Sequence, residues 1–274
     1  MSGAHWLGVD VGGTQIKVVS VGADGRVVGD FSAPTGDDGT GAWRGNVVRL
    51  VREVLGCGGG PPGGIAVSAP GLESGDGLSI AHMPGRLAGI EGLDWGRLFG
   101  VGYRVPVLND ARAALLGEAW LGAARGAADA ILLTLGTGVG GAVLSGGRLL
   151  RGHVGRGGHL GHVSMEPGGA KDIVGTPGSL EDAIGECTLA ARCGGRFSST
   201  RELVAAAVAG DGGAREAWGR SLDALAAAIA SFIHVLDPEV VGVGGGIARA
   251  GEALFGPLIE RVRAIEWQPG GHRV

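Results

Sequence analysis

Two glycine-rich segments of this 274-residue chain have the composition to surround a phosphate. The first runs Asp10-Val11-Gly12-Gly13-Thr14, and the second, about 124 residues later, runs Leu135-Gly136-Thr137-Gly138. Each follows a short apolar run and precedes another, so both read as strand, glycine turn, strand. Such a turn lets backbone N–H groups crowd around an anion, because no Cβ blocks the approach. One turn is a weak signal. Two in register point to related half-domains facing one polyphosphate, the arrangement of an ATP-using phosphotransferase. Asp10 ends its strand, where it can hold a Mg²⁺–water cluster while the N–H groups of Gly12, Gly13 and Thr14 meet phosphate oxygens. Lys17 adds positive charge to the same region. Taken alone, the segment reads equally well as a hairpin turn with a solvated aspartate.

A second constellation is Asn109-Asp110, at a strand end before a strong helix over 111–121. An aspartate there can take the proton of a substrate hydroxyl as its oxygen attacks a terminal phosphate. It can equally be a helix cap, which Asn and Asp both favour. A third is Gly244-Gly245-Gly246, between a strand over 240–243 and a helix from Ile247 onward. There the adenosine half of a nucleotide can lie against backbone.

The elements that must position these residues follow from local patterns. Strands are expected over 6–11, 16–21, 65–68, 105–108, 130–135 and 141–145, with a hairpin turn at Asp24-Gly25. Residues 43–55 place apolar groups at helical spacing. Helices are expected near 179–185, 200–209 and 214–236. Ser179 is a candidate N-cap, with Asp182 three residues on, and Asp237-Pro238-Glu239 ends the last helix. A loop spans 72–93, long enough to suggest a functional segment. The halves divide near 110–128, giving domains over 1–112 and 113–274.

Bulk composition narrows the function classes. A net charge of −4 offers nothing global to nucleic acid or to an anionic membrane. No transmembrane run and no signal peptide are read, so a cytoplasmic location is expected. Cys57, Cys187 and Cys193 are few and odd in number, and read as buried or incidental thiols. The 59 glycines lie between apolar runs, so many read as turns.

In order along the chain, Asp10-Val-Gly-Gly-Thr14, Ala69-Pro-Gly71, Leu108-Asn-Asp-Ala111 with Gly117-Glu118, Leu135-Gly-Thr-Gly-Val-Gly-Gly141, Gly161-His162, Gly178-Ser-Leu-Glu181 and Val243-Gly-Gly-Gly246 resemble the ROK family of sugar kinases. These belong to the actin-like, hexokinase-like ATPases. The resemblance implies an α/β, two-domain actin-like (ribonuclease H-like) fold with an interdomain cleft, and ATP–Mg²⁺-dependent phosphorylation of a sugar-like hydroxyl. It makes Asp110 the general base. It places Asn109, His162 and Glu181 on substrate ring hydroxyls, with Gly71 beside them. The family includes repressors with an N-terminal helix-turn-helix. Here the first phosphate loop begins at residue 10, which leaves no room for one. A homodimer is compatible with the resemblance, though no interface signal is visible.

The chain also departs from the family pattern. Most members hold a structural zinc through one histidine and a cysteine-rich segment. Here Asp172, Val174 and Ser179 occupy the cysteine places and only His162 remains, so no zinc is expected. His159 stands where the family has a sugar-binding glutamate, and an imidazole accepts only one hydrogen bond. Arg86 stands where an asparagine contacts the sugar. With donors only, it suits a carbonyl or carboxylate. Relatives continue with a strand and a final helix where this chain stops, so weaker domain closure is expected. Together these favour a modified hexose or a C7 cyclitol of secondary metabolism over plain glucose. The alternatives are a glucokinase with ordinary glucose specificity and a catalytically inactive nucleotide- or sugar-binding sensor.

Overall fold

A computed structural model describes residues 4–56 and 60–274, so Cys57 lies outside the described residues. The chain forms two compact units, Met1–Ala113 with Gly152–Arg156, and Ala114–Arg151 with Gly157–Val274.

The first unit is a five-stranded sheet with helices. Strands β1 (His5–Val11), β2 (Gln15–Gly22) and β3 (Val27–Pro34) form an antiparallel meander. β4 (Ile65–Ala69) and β7 (Val107–Asn109) join parallel to β1, giving the order β3-β2-β1-β4-β7. β3 was not foreseen: only Ala33 among its residues is fully buried, with Phe31 partly covered, so its apolar alternation is short and weak. Helix α1 (Trp43–Gly56) buries Trp43, Val47, Leu50, Val51 and Val54, a single stripe at helical spacing. The expected loop over 72–93 contains a small hairpin, β5 (Leu72–Glu73) and β6 (Ile80–His82). A short helix α2 (Trp95–Phe99) follows, capped by the Asp94 carboxylate. Helix α3 begins at Asp110, directly on β7, and runs to Leu121.

The second unit repeats the plan. β8 (Ala130–Leu135), β9 (Val139–Ser145) and β10 (Arg148–Leu149) are antiparallel, and β11 (Val240–Gly244) lies parallel to β8. β8 and β9 therefore match β1 and β2, and β11 matches β4. Both hairpins are joined by three residues, Gly12–Thr14 in one and Gly136–Gly138 in the other. Helices α4 (Leu180–Ile184), α5 (Leu189–Arg192), α6 (Thr200–Ala209), α7 (Gly212–Leu236) and α8 (Glu252–Ile265) complete the unit. The helix expected from Ile247 begins as a 3₁₀ turn, Ile247–Ala250, before α8. By length and composition alone, α7 is the one helix among the described residues that could span a membrane. Its apolar face, including Trp218, Leu222, Leu225, Ile229 and Ile233, lies in the unit's core.

Two polar knots hold the loops that carry candidate site residues. In the first unit Arg112, on the first turn of α3, pairs with Glu73 of β5 at 2.6 Å, both side chains at most 1% exposed. Arg112 Nη2 also donates to the Gly155 carbonyl at 2.8 Å, which ties the 152–156 segment into this unit. In the second unit the Asp172 carboxylate is closed off from solvent and sits 2.9 Å from His162 Nδ1. It also accepts the N–H groups of Val174 and Thr176. Burial by itself would raise the Asp172 pKa, but the bonds from His162, Thr176, Ser179 and Val174 hold it below the ordinary value. A carboxylate thus closes the segment where the family resemblance implied a metal. Among the described residues, no group of three or more His, Cys, Asp or Glu side chains could hold a metal ion.

Two outcomes follow. Glu73→Ala strands a buried guanidinium and should cost about 3–5 kcal/mol in urea denaturation, whereas the paired Glu73→Leu, Arg112→Met replacement should recover most of that loss. Asp172→Ala should lower the thermal midpoint by removing charge-assisted bonds worth about 1.5–3 kcal/mol each, while a chelator leaves the midpoint of the parent chain unchanged. Because the Asp172 pKa is depressed, its contribution is complete above 3.8 and is lost as pH falls below that value.

Candidate active site

In the first unit the Gly12–Thr14 turn closes on itself, Gly12 N–H donating to the Gln15 carbonyl at 3.0 Å. A Cβ on Gly12 would lie 2.9 Å from that same oxygen, so glycine is required there. Thr35, fully buried, donates its hydroxyl to the Gly12 carbonyl at 2.6 Å and its N–H to the Thr14 carbonyl at 2.9 Å. Thr35 therefore turns the carbonyls inward. Among the described residues, the N–H groups of Gly13 and Thr14 donate to no protein group. Asp10 ends β1, and its Oδ1 accepts the Ser68 hydroxyl of the neighbouring β4 at 2.7 Å. Lys17 is the cross-strand neighbour of Asp10 and is exposed.

Asp110 and Asn109 share one donor. The Ala111 N–H reaches Asp110 Oδ1 at 2.8 Å and Asn109 Oδ1 at 3.1 Å, so the capping geometry is present. Asn109 is only 5% exposed, and its Nδ2 donates to the carbonyl of Gly71 at 3.1 Å. Gly71 has φ 102°, and a Cβ there would meet the His82 carbonyl at 2.6 Å. The Asp110 pKa is raised: crowding by protein strips solvent from its carboxylate. The Ala111 N–H opposes the rise, and the negative charge of Asp10 adds to it. A carboxylate with a raised pKa that feels a second carboxylate has the attributes of a base. Arg86 lies beside the glycine turn, where a Cβ on Gly13 would meet its Nη1 at 3.4 Å.

In the second unit the remaining motifs gather around the β8–β9 turn. Gly136 N–H donates to the Gly138 carbonyl at 2.9 Å. The Gly136 and Thr137 carbonyls accept the N–H groups of Glu186 and Cys187. Among the described residues, the N–H groups of Thr137 and Gly138 donate to no protein group. Glu181 Oε2 accepts the Val139 N–H at 3.0 Å, and its carboxylate fills the space a Cβ on Gly138 would need. This tie between Glu181 and the turn backbone was not visible in sequence. Gly161, on the 3₁₀ turn Leu160–His162, packs against the Val139 carbonyl, which holds His159 and His162 near the exit of the glycine turn. His162 is held at Nδ1 by Asp172, and the bond fixes the ring. Gly245, with φ 92°, packs against the Leu135 backbone, so the Gly244–Gly246 turn abuts the start of the β8–β9 turn.

Sequence reasoning missed the roles of Thr35 and Ser68, each of which acts on a residue far away in the chain. Asp172 was read only as the occupant of a cysteine place, and its contact with His162 was not foreseen. Ser68 left a trace, as a polar residue closing an apolar strand before Ala69-Pro70-Gly71.

The chain matches the ROK family over residues 6–266. It is 35% identical to a glucokinase of Thermotoga maritima, an alignment covering 93% of this chain and 86% of that one. Among solved structures it is similar to a ROK hexokinase from Thermus thermophilus, with TM-score 0.84, 31% identity, and coverage of 98% of this chain and 90% of that one. It is also similar to a ROK family glucokinase from Streptomyces griseus in complex with glucose and AMPPNP, with TM-score 0.81, 25% identity, and coverage of 99% and 92%. Its mixed α/β units, each a hairpin with a parallel third strand, are of the actin-like type these kinases share, and the chain belongs to the ROK family.

Proposed function

We propose that the chain is an ATP-dependent kinase that phosphorylates a primary hydroxyl of a hexose or a sugar-like cyclitol. The observation that carries this reading is the pair of like-built glycine turns with N–H groups open to an anion, one of them headed by Asp10 at the end of the sheet that also carries Asp110. The hydroxyl oxygen attacks the terminal phosphorus, the bond from that phosphorus to the bridging oxygen breaks, and ADP leaves with the electron pair. The hydroxyl proton passes to the Asp110 carboxylate. Gly13, Thr14, Thr137 and Gly138 offer N–H groups to the phosphates, and the Gly244–Gly246 turn takes the adenosine side. Lys17 adds charge.

Asp10 fits Mg²⁺ held through water. One oxygen is fixed by Ser68, while a Mg²⁺ ion bound to phosphates and waters needs few protein carboxylates and no dedicated cage. When bound, Mg²⁺ neutralises phosphate charge. Dependence on ATP places the activity in the cytoplasm as part of the same reading.

On the acceptor side, Asn109, His159, His162 and Glu181 are proposed to face the ring hydroxyls. Glu181 keeps its second oxygen for them while the first holds the Val139 N–H. Asp172 leaves His162 its Nε2 for substrate. His159 in place of a carboxylate argues against a cationic amino sugar and supports an acceptor other than plain glucose.

The test is ADP release from ATP–Mg²⁺ against glucose, mannose, N-acetylated hexosamines, amino sugars and C7 cyclitols. Asp110→Asn should lower kcat by about 10²- to 10⁴-fold while AMPPNP still binds. Turnover of no acceptor by a chain that binds AMPPNP would replace the kinase by a sensor, and ordinary turnover of glucose would remove the preference for a modified acceptor. The pH profile is a second check. The acid limb of kcat/KM should lie above 3.8, because activity is lost as the raised Asp110 carboxylate protonates. A limb at or below that value would exclude Asp110 as the base.

A further inference from the structure

From sequence, Arg86 is expected to meet a carbonyl or carboxylate of the acceptor. Its Nη1 lies 3.4 Å from where a Cβ of Gly13 would be, over the turn whose Gly13 and Thr14 N–H groups are open to an anion. Among the described residues Arg86 takes part in no hydrogen bond or ion pair, and its side chain is exposed. The two nearby carboxylates are engaged with backbone. Asp37 accepts the Leu87 N–H at 2.8 Å, and Glu91 accepts the Met83 N–H at 2.7 Å.

The turn that carries Arg86 is firmly held. Leu87 adopts φ 50°, a left-handed conformation that a leucine avoids, yet its side chain is fully buried. Trp43 Nε1 donates to the Ala88 carbonyl, and the Ile90 N–H donates to the Leu87 carbonyl. A backbone held against its own preference beside a binding turn is a feature of working sites.

We propose that Arg86 is a further catalytic residue, binding the terminal phosphoryl group at the Gly12–Gly13 turn and stabilising the charge on its oxygens during transfer. This rests on the kinase reading. In that reading the terminal phosphoryl must lie next to Asp110, which takes the acceptor proton. Asp10, at the head of the same turn, and Asp110 stand at the same end of the sheet, where the parallel strands β1, β4 and β7 finish side by side. The end of the nucleotide at this turn is therefore the reacting end. A guanidinium presents a planar fork that matches two phosphoryl oxygens, which a lysine ammonium cannot reproduce. The bond changes are those of the transfer itself, and Arg86 neither gains nor loses a proton.

The experiment compares the parent chain with Arg86→Gln and Arg86→Lys, measuring kcat, acceptor KM, and the Kd of AMPPNP and of ADP with Mg²⁺ by calorimetry. Because the side chain is exposed, the thermal midpoint of both variants should match the parent. Arg86→Gln should lower kcat by roughly 10²- to 10³-fold, with acceptor KM and ADP affinity within about threefold. AMPPNP should lose its advantage over ADP, and Arg86→Lys should recover part of both losses. Retained kcat with a raised acceptor KM would overturn the proposal and return Arg86 to the acceptor. Equal loss of AMPPNP and ADP, or no change at all, would also overturn it. If the parent chain turns over no acceptor, the kinase reading falls, and the AMPPNP-to-ADP ratio still decides: its collapse in Arg86→Gln supports the phosphate contact, and its persistence sinks it. Absence of AMPPNP binding by the parent overturns both.

Discussion

A glycine turn can hold a phosphate only if its own carbonyls are kept from facing the anion. If the turns hold phosphate as proposed, both units meet that constraint. In the first, the buried Thr35 binds the carbonyls of Gly12 and Thr14 with its hydroxyl and its N–H, leaving the neighbouring N–H groups open. In the second, the start of the segment after α4 does the same for Gly136 and Thr137 through the N–H groups of Glu186 and Cys187. One unit uses a side chain and the other uses backbone, yet the electrostatic result is equivalent.

The sheets make this arrangement repeatable. A hairpin with a three-residue connection sets the turn, and a parallel strand beside its first member brings a further group to the same end. From β4 that group is the Ser68 hydroxyl on Asp10. From β11 it is the backbone at Gly245, seated against Leu135. Ligands at the carboxyl ends of parallel strands are a general habit of α/β sheets. Here that habit places the polar groups of each unit at one end of its sheet.

Much of this could be read from the sequence because it is local. The two glycine turns, the stripe of α1 and the Ser179 cap on Asp182 depend on residues within a few positions of one another, and they form as expected. β3 was missed because it is an exposed strand whose place is set by pairing with β2. The roles of Thr35 and Ser68 were missed because each joins segments that only the fold brings together. Arg86 shows the difference most clearly. Its chemistry, a donor-only cation, could be read from its type, but its place beside Gly13 follows from the burial of Leu87 and the bond of the Leu87 N–H to Asp37.

The return of residues 152–156 into the first unit bears on how the chain assembles during synthesis. The buried Arg112 reaches both Glu73 and the Gly155 carbonyl, and Gly155 follows it by 43 residues. A nascent chain that has emerged only as far as α3 holds a guanidinium whose final carbonyl has not yet been made. Completion of the first unit therefore waits for β8, β9 and β10 to be translated. The two units are not successive beads on a string: the earlier one is sealed by a strap that belongs, in order of synthesis, to the later one.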